Sequence, residues 1–73
     1  MMTKKTFKVT GMSCQNCVKH VKEAADKIGG VVSSLVSLEE GSLTVEYDES
    51  TATSSDIIIA VSEAGYPTSL FKG

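Results

Sequence analysis

The spacing of apolar residues changes between two periods along this chain of 73 residues. Apolar side chains recur at every third or fourth position in two segments, about 17–28 and about 54–64, which predicts two amphipathic helices. Shorter segments with strand-like alternation predict four β-strands, at 4–9, 31–38, 43–47 and 68–71. This order predicts an α+β, ferredoxin-like βαββαβ fold, in which two helices cover one face of a four-stranded antiparallel sheet.

The residues between these segments support the predicted boundaries. The glycine pair at 29–30 ends the first helix, and Gly65 ends the second. Gly41 lies in the turn of a predicted hairpin between the second and third strands. Thr53, with Asp56 three residues later, is the pattern of a capping box and predicts the start of the second helix.

Alternation within the strands predicts which side chains share a face. In the first strand these are Lys5, Phe7 and Val9. In the second strand one alternation groups Val32, Ser34, Val36 and Leu38. Because successive strand residues point to opposite faces, each group should lie on one side of the sheet.

Length and charge restrict the classes of protein. Residues 1–73 are enough for one small domain and leave no room for a second. An apolar share of 41% and a net charge of −2 indicate neither disorder nor strong affinity for nucleic acid. The charges are nevertheless segregated, since six of the seven basic residues precede Gly30 and seven of the nine acidic residues follow it. The first helix is therefore basic, with Lys19 and Lys22 as candidates for docking an acidic partner.

The run Gly-Met-Ser-Cys-Gln-Asn-Cys at 11–17 contains both cysteines of the chain, Cys14 and Cys17. At this spacing, on a loop that enters a helix, the two sulfurs can converge on one metal ion or on each other. The start of a helix presents unpaired N–H groups and a partial positive charge, which favour the thiolate form that binds metal. In the predicted topology, residues 65–67 should approach this pair.

Several chemistries are compatible with a Cys-x-x-Cys pair. A closed zinc site needs four ligands, and only His20 is available beside the pair, on a helix where we expect it to be exposed. Thioredoxin-like redox motifs occur in a larger fold. Buried structural cysteines are disfavoured by the polar residues around them. Reversible binding of a soft metal is the preferred interpretation.

No apolar run with a cleavage site begins the chain, and no segment is long enough to span a membrane, so we expect a cytoplasmic protein without membrane insertion. Reducing conditions there would keep both cysteines as thiols. The sequence contains no base paired with a nucleophile and no phosphate-binding loop, so we do not expect an enzyme.

Taken together, these motifs resemble the heavy-metal-associated domain family, which includes small bacterial copper chaperones and the amino-terminal domains of copper-transporting P-type ATPases. The resemblance covers nearly the whole chain. It is carried by the run at 11–17, Val18, Val21, the Gly-Val pair at 30–31, residues 38–41, Val45, the Tyr-Asp pair at 47–48 and the run Ala-Gly-Tyr at 64–66.

The resemblance implies roles for individual residues. Cys14 and Cys17 would be the metal ligands, with Cu(I) as the expected ion and Zn(II) or Hg(II) as ions that could bind in vitro. Met12 would be an apolar anchor beneath the loop, and Tyr66 would lie near the metal. Ser34 departs from the apolar residue common at this position, and we expect it to loosen the second strand locally.

The resemblance also implies a function. The expected one is a cytosolic Cu(I) chaperone that passes copper by thiolate exchange to a P-type ATPase domain presenting an acidic patch, with a copper-bridged homodimer as a further form. The alternatives are a domain of such an ATPase and a mercury-binding protein of the same fold. Met1 and a chain that ends just after the last strand favour the first of these.

Overall fold

A computed structural model describes residues 2–71; Met1, Lys72 and Gly73, the ends of the expected 1–73 domain, lie outside the described residues. The elements are β1 (Met2–Val9), α1 (Gln15–Asp26), β2 (Val31–Ser37), β3 (Ser42–Asp48), α2 (Ser54–Glu63) and β4 (Thr68–Leu70). All strand pairs are antiparallel, in the order β2-β3-β1-β4. The predicted βαββαβ fold is confirmed. Among residues 2–71, no helix is both long and apolar enough to cross a membrane.

One hydrophobic core lies between the two helices and one face of the sheet. Phe7 and Val9 of β1 are buried there, as the alternation predicted, whereas Lys5 at the same face is exposed. The other buried apolar side chains come from both helices, β3 and the loop before α2, and are Val21, Ala25, Leu43, Val45, Tyr47, Ala52, Ile57 and Val61. Their burial fixes both helices on the same side of the sheet.

A β-bulge changes the expected face of one residue in β2. Val31 pairs with Tyr47, but Ser33 pairs with Glu46, so β2 advances two residues where β3 advances one. Val31 consequently packs against the core, and Val32 is 65% exposed. The prediction that Val32 shares a face with Ser34 and Val36 is wrong for Val32, because the extra residue reverses the alternation on the amino-terminal side of the bulge.

Ser34 connects β2 with α1. Its hydroxyl donates to Asp26 Oδ1 at 2.6 Å, and Lys22 Nζ donates to Ser34 O at 3.0 Å. Lys22 also forms an ion pair with Asp26 at 3.3 Å. Instead of the expected local loosening, a polar cluster of Lys22, Asp26 and Ser34 joins α1 to β2.

The helix starts follow their local signals. In α2, Asp56 N donates to Thr53 Oγ1 at 3.2 Å and Thr53 N donates to Asp56 Oδ2 at 3.1 Å, so the predicted capping box is present. In α1, Cys14 is the N-cap, and the helix begins and ends two residues earlier than the apolar spacing predicted. This shift places Cys17 in the first turn of α1.

The turn between α1 and β2 packs closely against the loop before α2. Gly30 has a φ of +101°, and a Cβ at this position would lie 2.9 Å from Thr51 Cβ. Its carbonyl accepts a hydrogen bond from Asp48 N at 2.8 Å. Both the positive φ and the short approach require glycine here.

We therefore expect Gly30→Ala to lower the free energy of unfolding by about 2 kcal/mol, since it adds a left-handed non-glycine residue and a steric clash. Gly29→Ala is the matched control, because among the described residues, its own chain neighbours apart, no atom lies within 4 Å of a Cβ built there. Denaturant unfolding curves of both variants test this. Equal midpoints for the two variants would contradict the assignment.

Candidate metal centre

Two loops meet at one end of the sheet. Thr10, after β1, donates from its backbone N to Pro67 O at 2.9 Å and from Oγ1 to the same oxygen at 3.1 Å. Pro67 belongs to the loop that joins α2 to β4. The expectation that residues 65–67 approach the cysteine loop is confirmed.

The cysteine loop is attached to the core by Met12. Its side chain is half-buried and packs against the core cluster, which confirms the predicted apolar anchor. The preceding Gly11 has a φ of +87°, a value that turns the chain out of β1 at little steric cost. The ring of Tyr66 lies nearby, with Cδ1 3.8 Å from a Cβ built at Gly11. The loop is therefore held from below by Met12 and is flanked by Tyr66.

The two cysteines lie side by side as free thiols at the start of α1. Cys14 is exposed, Cys17 is half-buried, and their Sγ atoms are 3.4 Å apart. Cys17 N and Val18 N donate to Cys14 O at 3.1 and 3.3 Å, which forms the first turn of the helix. Thiolate–metal bonds of about 2.3 Å, the length found for zinc, are long enough for one ion to contact both sulfurs. One ion could therefore contact both sulfurs.

Hydrogen bonds favour ionisation of Cys17. Its pKa is lowered from 9.0 to about 7, chiefly by a hydrogen bond from the Ser13 backbone and then by hydrogen bonds from the Tyr66 hydroxyl and the Cys14 thiol. Partial desolvation opposes them. Conversely, the pKa of Tyr66 is raised, mainly because its hydroxyl hydrogen is held by Cys17. Near neutral pH, Cys17 thus has substantial thiolate character.

His20 is exposed, as predicted, but its contact with Tyr66 was not predicted. Its Nδ1 lies 3.4 Å from the Tyr66 hydroxyl, although the two residues are 46 positions apart. Cys17 and His20 are three residues apart, so they lie on one side of α1. Together with the expected approach of Tyr66, this spacing could have predicted the contact between His20 and Tyr66. Within the described range, 2–71, no three His, Cys, Asp or Glu side chains come together in a way that could hold a metal.

The two candidate docking lysines differ in their surroundings. Lys22 is engaged with Asp26 and Ser34, so part of its charge is compensated within the protein. Lys19 is exposed on α1, two residues after Cys17. Of the two, Lys19 is the better candidate to contribute a positive potential at the surface of α1.

Residues 6–67 match the heavy-metal-associated domain. The copper chaperone CopZ of Staphylococcus epidermidis is 43% identical over 65 residues, covering 89% of this chain and 96% of the relative. Human copper-transporting ATPase 2 is 34% identical over 68 residues, 93% of this chain and 5% of the ATPase. Oxidized MerP from Ralstonia metallidurans is 30% identical, with a TM-score of 0.95 and coverage of 99% and 100% of the two chains. With this agreement in sequence and fold, the chain belongs to the heavy-metal-associated domain family.

Proposed function

We propose that this protein is a cytoplasmic copper chaperone, a single heavy-metal-associated domain over 1–73 that carries one Cu(I) on Cys14 and Cys17. The observation that carries the proposal is the pair of accessible thiols 3.4 Å apart at the start of α1. The relatives of nearly the same length support it, since they are named copper chaperones rather than enzymes.

The number of donors favours Cu(I) over Zn(II). Thiolates suit Cu(I), zinc and mercury alike, so donor type alone does not select among them. Two sulfurs satisfy a low-coordinate Cu(I), whereas Zn(II) requires two more ligands from water or a second molecule. The two-donor site therefore supports copper rather than zinc as the cargo, and a second copy of the chain could complete a copper-bridged homodimer.

Transfer by ligand exchange follows from the same open site. A thiolate of the acceptor adds to the bound ion and forms a three-coordinate bridge. The ion then passes to the acceptor as Cys14 and Cys17 dissociate in turn. Because Cys14 is exposed, an acceptor can reach the ion without rearrangement of the core. Copper need not be released into solution at any stage.

We expect Cys14→Ser and Cys17→Ser each to weaken Cu(I) binding by more than about 100-fold, because even the loss of a second-shell contact costs 10–100-fold. Ser13→Ala is the control, since it leaves both sulfurs and the backbone in place. Anaerobic competition titrations with Cu(I), Zn(II) and Hg(II), combined with molecular mass, measure affinity, metal preference and dimer formation. Tight Cu(I) binding by either serine variant would exclude that cysteine as a ligand.

The lowered pKa of Cys17 predicts the pH dependence of its reactivity. In the metal-free protein, alkylation of Cys17 should rise with a midpoint near pH 7, because the thiolate forms above that value and the unreactive thiol below it. Tyr66→Phe should move the midpoint upward by removing a donor to the sulfur. Mass spectrometry of peptides after timed alkylation measures the rate at each pH. A wild-type midpoint near 9.0 would contradict the assigned hydrogen bonds.

We propose as the partner a metal-binding domain of a copper-transporting P-type ATPase that presents an acidic patch. The exposed Lys19 on α1, two residues after Cys17 in the sequence, supports this electrostatic docking. Human copper-transporting ATPase 2 contains a segment similar to this chain, so a partner domain of the same fold is plausible on structural grounds.

Transfer to such a domain should slow steeply as salt is raised, and Lys19→Glu should slow it more than Lys22→Glu. Lys27→Glu, the same charge change at the other end of α1, is the control and should have little effect. The rate is measured with a strong Cu(I) chelator present, so that only direct exchange reaches the acceptor. Complete interception by the chelator would overturn ligand exchange, and a salt-independent rate would overturn electrostatic docking.

The similarity to MerP supports a second candidate, a mercury-binding protein of the same fold. A related structure is described as mercury-bound MerP, a periplasmic protein of bacterial mercury detoxification. The competition titration separates the candidates, since a mercury carrier would retain Hg(II) selectively in the presence of Cu(I).

A further inference from the structure

Strand β2 forms an open edge of the sheet. Within residues 2–71 it pairs only with β3, and its seven residues make it longer than β4, the edge strand of three residues on the other side. Proteins commonly keep such edges from pairing with another chain by charged side chains, proline, bulges or short strands. Apart from the bulge near its start, β2 has none of these features, and Leu35 at its centre is 72% exposed.

The pairing register shows which backbone groups of β2 face the open edge. Phe71 N donates to Thr6 O, so Thr6 directs its backbone groups toward β4. In an antiparallel sheet, the N–H and C=O of one residue point to the same side, and successive residues alternate. Thr44, which pairs with Thr6, therefore directs its groups to β2, where its partner is Leu35. By alternation, the groups that point to the open edge belong to Ser34 and Val36.

Lys22 of α1 already binds one of these outward groups. Its Nζ donates to Ser34 O at 3.0 Å and to Ser34 Oγ at 3.2 Å. Asp26 holds both partners, because it accepts from the Ser34 hydroxyl at 2.6 Å and forms an ion pair with Lys22 at 3.3 Å. The Lys22 and Asp26 side chains are 50% and 45% exposed, so the ion pair alone contributes little to stability. The effect of the polar cluster is therefore to place an ammonium group on the edge of β2.

The edge of β2 is complementary to itself. If a second copy of the chain paired antiparallel about Leu35, Ser34 of each strand would exchange backbone hydrogen bonds with Val36 of the other. Leu35 would lie directly opposite Leu35 of the second copy, in the kind of pair whose side chains come closest. No charged side chain of β2 would oppose this pairing. It would also bury the exposed Leu35 side chain.

We propose that Lys22 keeps the edge of β2 from pairing with a second copy of this chain. The backbone N–H of Val36 in the second copy would need Ser34 O as its acceptor, and Lys22 holds that oxygen. Pairing would also bring one ammonium group from each copy into the same interface, where removal of charge from water is costly. Asp26 and the Ser34 hydroxyl contribute by fixing the position of Lys22.

The association state of the metal-free protein tests the proposal. Lys22→Met removes the ammonium group and retains a long side chain at this half-exposed position. In sedimentation equilibrium, with a chelator and a thiol reductant present, its apparent mass should double as protein concentration rises, whereas the wild type should stay monomeric. Lys22→Ala, in which alanine favours the helix, should behave in the same way. Lys19→Met is the matched control at an exposed position of α1 and should stay monomeric.

Two further measurements locate the interface. Leu35→Lys, combined with Lys22→Met, should restore the monomer, because it places like charges directly opposite each other in the pair. Amide hydrogen exchange of Lys22→Met should slow at Ser34 and Val36 at high protein concentration and not at low concentration. Circular dichroism confirms that each variant is folded.

A folded Lys22→Met or Lys22→Ala variant that stays monomeric at every concentration would overturn the proposal. Equal association of Lys19→Met would overturn it too, and so would association that Leu35→Lys leaves unchanged. Metal-free wild type that dimerises with slowed exchange at Ser34 and Val36 would show that Lys22 does not block the edge. Because no metal is present, these outcomes are independent of whether the protein carries copper.

Discussion

The paired hydrogen bonds from Thr10 to the carbonyl of Pro67 join the two loops from which the site is built. One loop presents the cysteines, and the other places Tyr66 against them. Without this connection, Tyr66 and the cysteines would belong to independent surface loops, and any contact between those loops would have to offset the entropy of ordering both. Met12 adds a second attachment by packing its side chain into the core beneath the thiols. The thiols are thus at an exposed end of the site, and the loop beneath them is attached to the core and to the neighbouring loop.

This combination suits a carrier. Hydrogen bonds favour the thiolate form of Cys17, and the start of the helix offers both sulfurs a partial positive charge. They are too few to enclose an ion, so an incoming thiolate can add before either leaves. The core, formed by the helices and one face of the sheet, need not change during exchange. In the function proposed above, binding and release would depend on local contacts of Cys14 and Cys17.

Local signals predicted much of the fold. The capping box at Thr53 and Asp56 and the glycine turns act within a few residues, so the chain order alone reveals them. The face of Val32 was predicted wrongly because a bulge in β2 depends on pairing with β3. Ser34 was expected to weaken β2, yet Asp26 and Lys22 of α1 contact it, and these partners are known only once helix and strand are packed together.

The sequence by itself determined that two cysteines three residues apart lie at the start of a helix, where one helical turn allows their sulfurs to converge. It also determined the order of the elements through the period of their apolar residues. The tertiary structure alone decided the environment of those sulfurs. Tyr66 lies 46 residues from His20 along the chain, and only the packing of α2 and its following loop beside α1 brings its hydroxyl to Cys17 and His20. Hydrogen bonds between side chains so far apart depend on the positions of whole elements, which no local pattern specifies.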